Sequence, residues 1–277
     1  MYVLESYEKI PMRQYLRTLC VFTSLIVVSV VAPMGAVGAG PATGASAAPA
    51  SKSAEPPKVD PEAVKALYKM GTYLRSLDSF EIQSRTTTED VLDNDQKVQI
   101  GGAMDYKVHK PGAFQITDST DRKVRQYYFD GKNFTIYAPK MNFYSTVAAP
   151  PTIKELFKRA YDKYGIEFPL EDLFHWGSAD NRFDDLVSAS VVGYAKIDGQ
   201  DSDQFAYRQG DADWQIWIQR GDKPLPLKLV IVKTSDETMP EYTAVLHWNT
   251  SATFPDDTFT FKPPANAKAI ALKPAQS

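Results

Sequence analysis

The sequence predicts an α+β domain in which a strongly curved antiparallel sheet is closed by about three helices. Three observations predict it. Strand-like segments come in blocks with helices inserted between the blocks, without strict one-to-one alternation, and that order belongs to α+β architecture. The strands carry bulky apolar groups on both faces, whereas an antiparallel sheet with one wet face alternates apolar and polar residues. One inserted segment, 153–164, has a clean apolar stripe at helical spacing. Two-sided strands and an amphipathic helix fit a curved sheet whose concave side is apolar and covered by helices. The alternative is a sheet whose second face is packed solid against those helices.

The stretch YYFDGKNFTIYAPKMNFY, Tyr127 to Tyr144, states the two-sided pattern most clearly. Asp130-Gly131 predicts a two-residue type I′ hairpin turn, which needs positive φ at both central positions. Pro139-Lys140-Met141-Asn142 is a second, looser turn. Three short strands result, 124–129, 133–138 and 143–147. Side chains alternate along a strand, so Phe134 and Ile136 share one face while Thr135 and Tyr137 share the other. Which pair looks inward is left open at this point.

The elements follow in order. Asp60-Pro61-Glu62 is a helix start, with an N-cap acceptor, a first-turn proline and an acid near the positive end. Val64, Leu67, Gly71 and Leu74 continue on one face to an end near Asp78. Strands begin at Phe80, turn at Asp93-Asn94-Asp95 and return from Val98, with a further strand over 113–118. Thr152 and Glu155 form a capping-box pair ahead of Ile153, Leu156, Phe157, Ala160, Tyr161 and Tyr164, and Gly165 ends that helix. Pro169 to Trp176 reads as a short third helix. The remainder is strand-like: 186–197, 204–208, 214–219, 227–233, 242–248 and 259–262. Trp214, Ile216 and Ile218 oppose Trp217, and Leu246 shares a face with Tyr242, Ala244 and Trp248. The count is about ten strands.

Before the domain, Arg13 and Arg17 precede an apolar run from Leu19 to Val31 and the small residues Ala36-Val37-Gly38-Ala39. This is the order of a secretory signal peptide, here residues 1–39, and it places the protein in the periplasm. The alternative is an inner-membrane anchor formed by an uncleaved 19–37 segment. Residues 40–58 are rich in Ala, Pro and Ser, with almost no large apolar residue, and are expected to form a disordered linker. Residues 59–273 then form a single domain, long enough to bury a sizeable core. Cys20, in the signal segment, is the only cysteine, so the exported part has no disulfide and no thiolate chemistry. Cleavage removes Lys9, Arg13 and Arg17 with Glu5 and Glu8, which takes the whole-chain charge of −3 to −4. No basic stripe supports a nucleic-acid partner.

Chemistry-bearing patterns are sparse. His109, His175 and His247 are far apart and in no metal spacing. His175, beside Asp172 and Trp176, reads as a helix-end histidine. There is no G-x-S-x-G nucleophile elbow and no phosphate loop. Asp198-Gly199-Gln200-Asp201-Ser202-Asp203 offers oxygen ligands but lacks the calcium-loop pattern and reads as a hairpin turn. Asp180, Asp184 and Asp185 around Arg182 read as a solvated loop. No catalytic residue, metal or cofactor is therefore expected.

Several stretches carry a resemblance. They are YYFDGKNFTIYAPKMNFY, PPTIKELF with YGIEFPLEDLFHW, WQIWIQRGDKPLPLKLVI, and the closing FPDDTFTFKPP. In that order they resemble a family of predicted periplasmic bacterial proteins of unknown function, itself similar to the LolA and LolB lipoprotein carriers. The resemblance covers most of 60–272. It implies an open, incomplete β-barrel with a helical lid that holds a lipid or acylated protein without covalent chemistry. It also implies an arginine that holds the lid closed, for which Arg85 is the candidate.

The expected ligand cavity is lined by Phe134 and Ile136 from the aromatic hairpin and by Leu156, Phe157 and Tyr161 from the lid helix. Trp214, Ile216, Ile218 and Leu246 complete it from the later strands. Transient membrane contact and an envelope protein partner are compatible with this reading. The alternatives are an envelope interaction or scaffold module with a filled core and, more distantly, an envelope hydrolase.

Overall fold

Asp60 and Pro61 open helix α1 (Pro61–Ser76). The Asp60 carboxylate accepts from the Glu62 backbone N–H at 2.9 Å, and Pro61 occupies a first-turn position where no amide needs a partner. The computed structural model describes residues 59–166, 168, 170–174, 176 and 183–275. The expected signal peptide, the 40–58 linker, His175, Asp180 and Arg182 lie outside the described residues. Helix α1 buries Ala63, Leu67, Met70, Gly71 and Leu74, and Val64 lies at the margin of that face.

Among the described residues, twelve strands form one sheet where about ten were expected. They are β1 (Ser79–Val91), β2 (Lys97–His109), β3 (Ala113–Thr120), β4 (Val124–Phe129), β5 (Asn133–Ala138) and β6 (Phe143–Ala148). After helix α2 (Ile153–Tyr164) and a 3₁₀ turn (Glu171–Phe174) come β7 (Leu186–Ile197), β8 (Gln200–Gln209), β9 (Ala212–Gln219), β10 (Pro226–Lys233), β11 (Glu241–Asn249) and β12 (Lys268–Ala269). The spatial order is β12-β6-β5-β4-β3-β2-β1-β11-β10-β9-β8-β7. Two antiparallel meanders, β1–β6 and β7–β11, are joined where β1 pairs with β11; β12 runs parallel to β6, and Val59 makes a single parallel bridge to Ala189 of β7.

Two corrections follow. The expected third helix is a single 3₁₀ turn, so the described residues contain two α-helices. The sheet is open and is not strongly curled. Strong curl needs bulges repeated across a sheet. Here register shifts fall only between β7 and β8 and between β9 and β10, while β1 to β6 pair in unbroken register.

The covers explain why both faces of the aromatic hairpin are apolar. Phe134 and Ile136, with Tyr127 and Phe129, face the helices and belong to one core cluster with Leu67, Leu156 and Phe157. Tyr128, Tyr137 and Tyr144 face the other way, where the C-terminal arm crosses the sheet. Phe261 sits among them, with ring centroids at 5.2, 5.3 and 5.1 Å. The predicted strand over 259–262 is instead an arm of turns, with Thr258 N–H donating to Pro255 O and Thr260 N–H to Asp257 O. Phe261 packs on the tyrosines and Phe259 on Phe254 and His109, and neither belongs to a strand.

Asp130-Gly131 also departs from expectation. Gly131 alone has positive φ, 83°, and the Asp130 carboxylate accepts from the Lys132 and Asn133 amides. The Asp side chain thus closes the turn. Positive φ at both central positions occurs at Asp198-Gly199, 46° and 84°, which joins β7 to β8.

Candidate functional site

Helix α2 covers the inner face of β3 to β5. Thr152 caps it, accepting from the Glu155 N–H at 3.3 Å and donating its hydroxyl to the Glu155 carboxylate at 2.9 Å. Gly165 ends it in the left-handed region at φ 64°. Ile153, Leu156, Phe157 and Ala160 are buried against the sheet. Backbone bonds tie the helix at its ends, Ile153 N–H to Pro111 O at 2.9 Å and Ala275 N–H to Lys163 O at 3.1 Å.

The predicted residues come together, with one exception. Phe134 and Ile136 on β5, Leu156 and Phe157 on α2, Trp214, Ile216 and Ile218 on β9, and Leu246 on β11 all lie in one buried cluster. Tyr161 is half-buried and stands outside that cluster.

Aromatic contacts make the interior continuous. Phe157 meets Phe114 at 5.7 Å and Phe174 at 5.6 Å. Phe80 links Phe174 to Trp248, at 5.9 and 5.6 Å. On the α1 side, Trp214 stacks on Tyr207 at 4.2 Å and on Trp176 at 5.8 Å. Sequence reasoning missed Phe114, Phe168, Phe174 and Tyr207 as site residues. Phe114 shares a strand face with Ile116, and Tyr207 with Phe205, so period-two alternation of bulky residues could have found them. Phe168 stands outside regular structure, with no periodic signal to mark it.

A few polar groups are embedded in this interior. The Tyr207 hydroxyl donates to Ala63 O at 2.9 Å, and that of Tyr106 to Met104 Sδ at 3.7 Å. Among the described residues, Trp214 Nε1 and Tyr242 Oη are buried without a hydrogen-bond partner. Glu171 and Asp172 are buried in the 3₁₀ turn. Burial pushes the Tyr106, Tyr127, Tyr207 and Tyr242 hydroxyls up from their ordinary pKa, and Asp118 adds to this at Tyr106, Tyr127 and Tyr242. All four are neutral at physiological pH.

The remaining sequence candidates lie elsewhere. His109 Nδ1 is 2.6 Å from Ser79 Oγ at a strand end, and its ring stacks near Phe259. His247 Nε2 lies 3.3 Å from Asp198 Oδ2, which also accepts from Arg85 Nη2 at 3.0 Å. Arg85 alternates with the buried Ser84 and so faces away from the helices. Its ion-pair partner is Asp198 and not a residue of either helix. An open cleft of about 340 Å³ lies between the outer face and the C-terminal arm, lined by Glu81, Lys107, Asn249, Phe254 and Thr258 among others, apart from the predicted residues. Among the described residues, no group of three or more His, Cys, Asp or Glu could hold a metal, and no helix is long and apolar enough to cross a membrane.

The model of the family described as Predicted periplasmic protein (DUF2092) matches residues 63–273. The chain belongs to this family. A search of curated proteins gives no match. Among solved structures, the chain is similar to LprF from Mycobacterium bovis, at 13% identity and a TM-score of 0.43, over 71% of this chain and 97% of that one. It is similar to the lipoprotein LppX from Mycobacterium tuberculosis, at 11% identity and a TM-score of 0.45, over 70% and 98%. A domain from Vibrio parahaemolyticus, described as an outer membrane lipoprotein-sorting protein, is 7% identical with a TM-score of 0.32, over 72% and 96%.

Proposed function

We propose that this protein is exported to the periplasm, where it holds an acyl chain or other lipophile non-covalently between the inner sheet face and α2, and catalyses nothing. The observation that carries the reading is the mode of attachment of α2. Its buried face meets the sheet through apolar side chains, and the backbone bonds lie at its ends. Such a helix can swing without breaking a ladder, as a lid does. Phe134, Ile136, Leu156 and Phe157 would line one part of the cavity, and Trp214, Ile216, Ile218 and Leu246 the other, with Tyr161 at the lid's margin. An acyl chain gains about 0.8 kcal/mol per buried CH₂, so a long chain can replace the contacts that α2 gives up. The aromatic inner face also explains why the sheet carries no polar alternation there.

Native mass spectrometry of the protein purified without detergent, before and after organic extraction, tests the reading. A lipid adduct that extraction removes and added lipid restores is expected. A protein that never carries or takes up a lipophile rules it out. The close Phe157–Phe168 stack, at 4.6 Å, favours one second reading, an envelope interaction module with a filled core. Stable capture of an envelope protein by lipid-free material would support that alternative.

A further inference from the structure

Two buried donors on the inner face, Trp214 Nε1 and Tyr242 Oη, have no hydrogen-bond partner. Strand register relates them. Trp214 on β9 stands opposite Ile231 on β10, and Ile231 stands opposite Tyr242 on β11. The two donors therefore flank Ile231 in one row across the sheet, two strand spacings or about 10 Å apart at their backbones. The next residue in that row, Tyr207, stands opposite Trp214 on β8, and its hydroxyl is satisfied by Ala63 O. Orphaned donors thus begin where the α1 backbone no longer reaches.

Unpaired buried polar groups are rare in native proteins and each calls for an explanation. Indole N–H is a donor only, and a tyrosine hydroxyl can donate. The indole is 4% exposed and held between Tyr207 and Trp176, so its direction is set before anything binds. What both atoms lack is an acceptor oxygen. We propose that Trp214 and Tyr242 form a subsite for the ester carbonyl of an uncharged acyl lipid lying over Ile231. This rests on the reading of the inner face as a lipophile site.

The charge environment selects the class of head group. Burial and Asp118 both disfavour negative charge at the Tyr242 hydroxyl. A carboxylate placed there would lose its hydration and meet the same potential. A neutral ester loses far less and accepts both hydrogen bonds.

The test uses the full chain freed of endogenous lipid and titrated with monoolein or oleate at neutral pH, read by tryptophan fluorescence and native mass spectrometry. Monoolein binds at least tenfold more tightly than oleate. Tyr242→Phe weakens monoolein about fivefold, the loss of one neutral hydrogen bond, and leaves oleate unchanged. Trp214→Phe also weakens monoolein; if it does not fold, Tyr242→Phe and the lipid comparison carry the test. A diacylglyceryl-cysteine peptide run beside monoolein distinguishes a lipoprotein ester from a free lipid, and weakening of either by Tyr242→Phe supports the subsite. Without lipid, Tyr242→Phe leaves Tm unchanged or raises it, since the hydroxyl it removes has no partner. A clear fall in Tm overturns the subsite, because water or protein then satisfies that hydroxyl. Equal binding of oleate and monoolein, or unaltered binding of both monoolein and the peptide by Tyr242→Phe, also overturns it but leaves lipophile holding intact. If neither lipid binds, the proposed function itself falls.

Discussion

Phe157 on α2 stacks on Phe168 with ring centroids 4.6 Å apart, and Phe168 in turn meets Tyr127 and Phe134 edge-on at 5.3 and 5.9 Å. One residue outside regular structure thus joins the helix to two strands of the aromatic hairpin. Phe168→Ala should cost about 3–5 kcal/mol, as for other buried phenylalanines. Tyr161→Ala, half-buried and outside the cluster, should cost about 1 kcal/mol or less. Urea denaturation of both variants checks the order, and a larger loss at Tyr161 would contradict this view of the interior.

Gly71 is required by a close approach. A Cβ there would lie 2.2 Å from the Trp176 carbonyl oxygen, a backbone atom that cannot step aside cheaply. Arg75 Nη1 donates to the same oxygen, which fixes it further. Alanine raises helix propensity by about 1 kcal/mol, but overpacking of this kind costs about 1–3 kcal/mol. Gly71→Ala should therefore lower Tm in a thermal scan, whereas a rise would mean the 3₁₀ segment packs elsewhere.

The C-terminal arm should matter for stability and not for ligand. Phe261→Ala removes three ring contacts, each worth about 0.5–1.5 kcal/mol, from the outer face. A loss of about 2 kcal/mol with unaltered lipid binding is expected. Measuring both on one preparation separates the two faces.

Alkaline pH gives a signed test. Lys110 Nζ donates to Leu74 O at 2.8 Å and Arg75 O at 3.3 Å, at the end of α1. Burial pushes its pKa down to about 8; Asp78 opposes this and Arg75 adds to it. Above that value, and up to the ordinary lysine value of about 10.4, the unfolded chain holds a proton that the folded chain has released. Stability due to Lys110 therefore rises with pH across that window. The buried tyrosines act in the opposite sense. Their raised values stabilise the fold below about pH 10 and are lost above it. Urea midpoints should rise from pH 7.5 to 9.5 and then fall, and Lys110→Met should flatten the rise alone.

Local signals in the sequence were enough for much of this architecture. The three strands around Tyr127 to Tyr144 and the Thr152 and Gly165 boundaries of α2 are found within a residue of expectation, because alternation and capping act between near neighbours. Which face of Phe134 looks inward was not legible. Both faces are apolar, and the choice depends on α2 covering one and Phe261 the other. The Phe259 to Lys262 alternation imitates a strand because Phe261 packs on three tyrosines and Phe259, two residues earlier, on Phe254 and His109. The row from Trp214 through Ile231 to Tyr242 depends on register between strands, which no local pattern reveals.

The most direct measurement is photo-crosslinking with a diazirine-bearing acyl ester, followed by peptide mapping. The account predicts labelled peptides from β3 to β5, from α2 and from β9, around Phe114, Phe134, Phe157 and Ile216. Labelling confined to the C-terminal arm and the outer tyrosines Tyr128, Tyr137 and Tyr144, or no labelling at all, would contradict it.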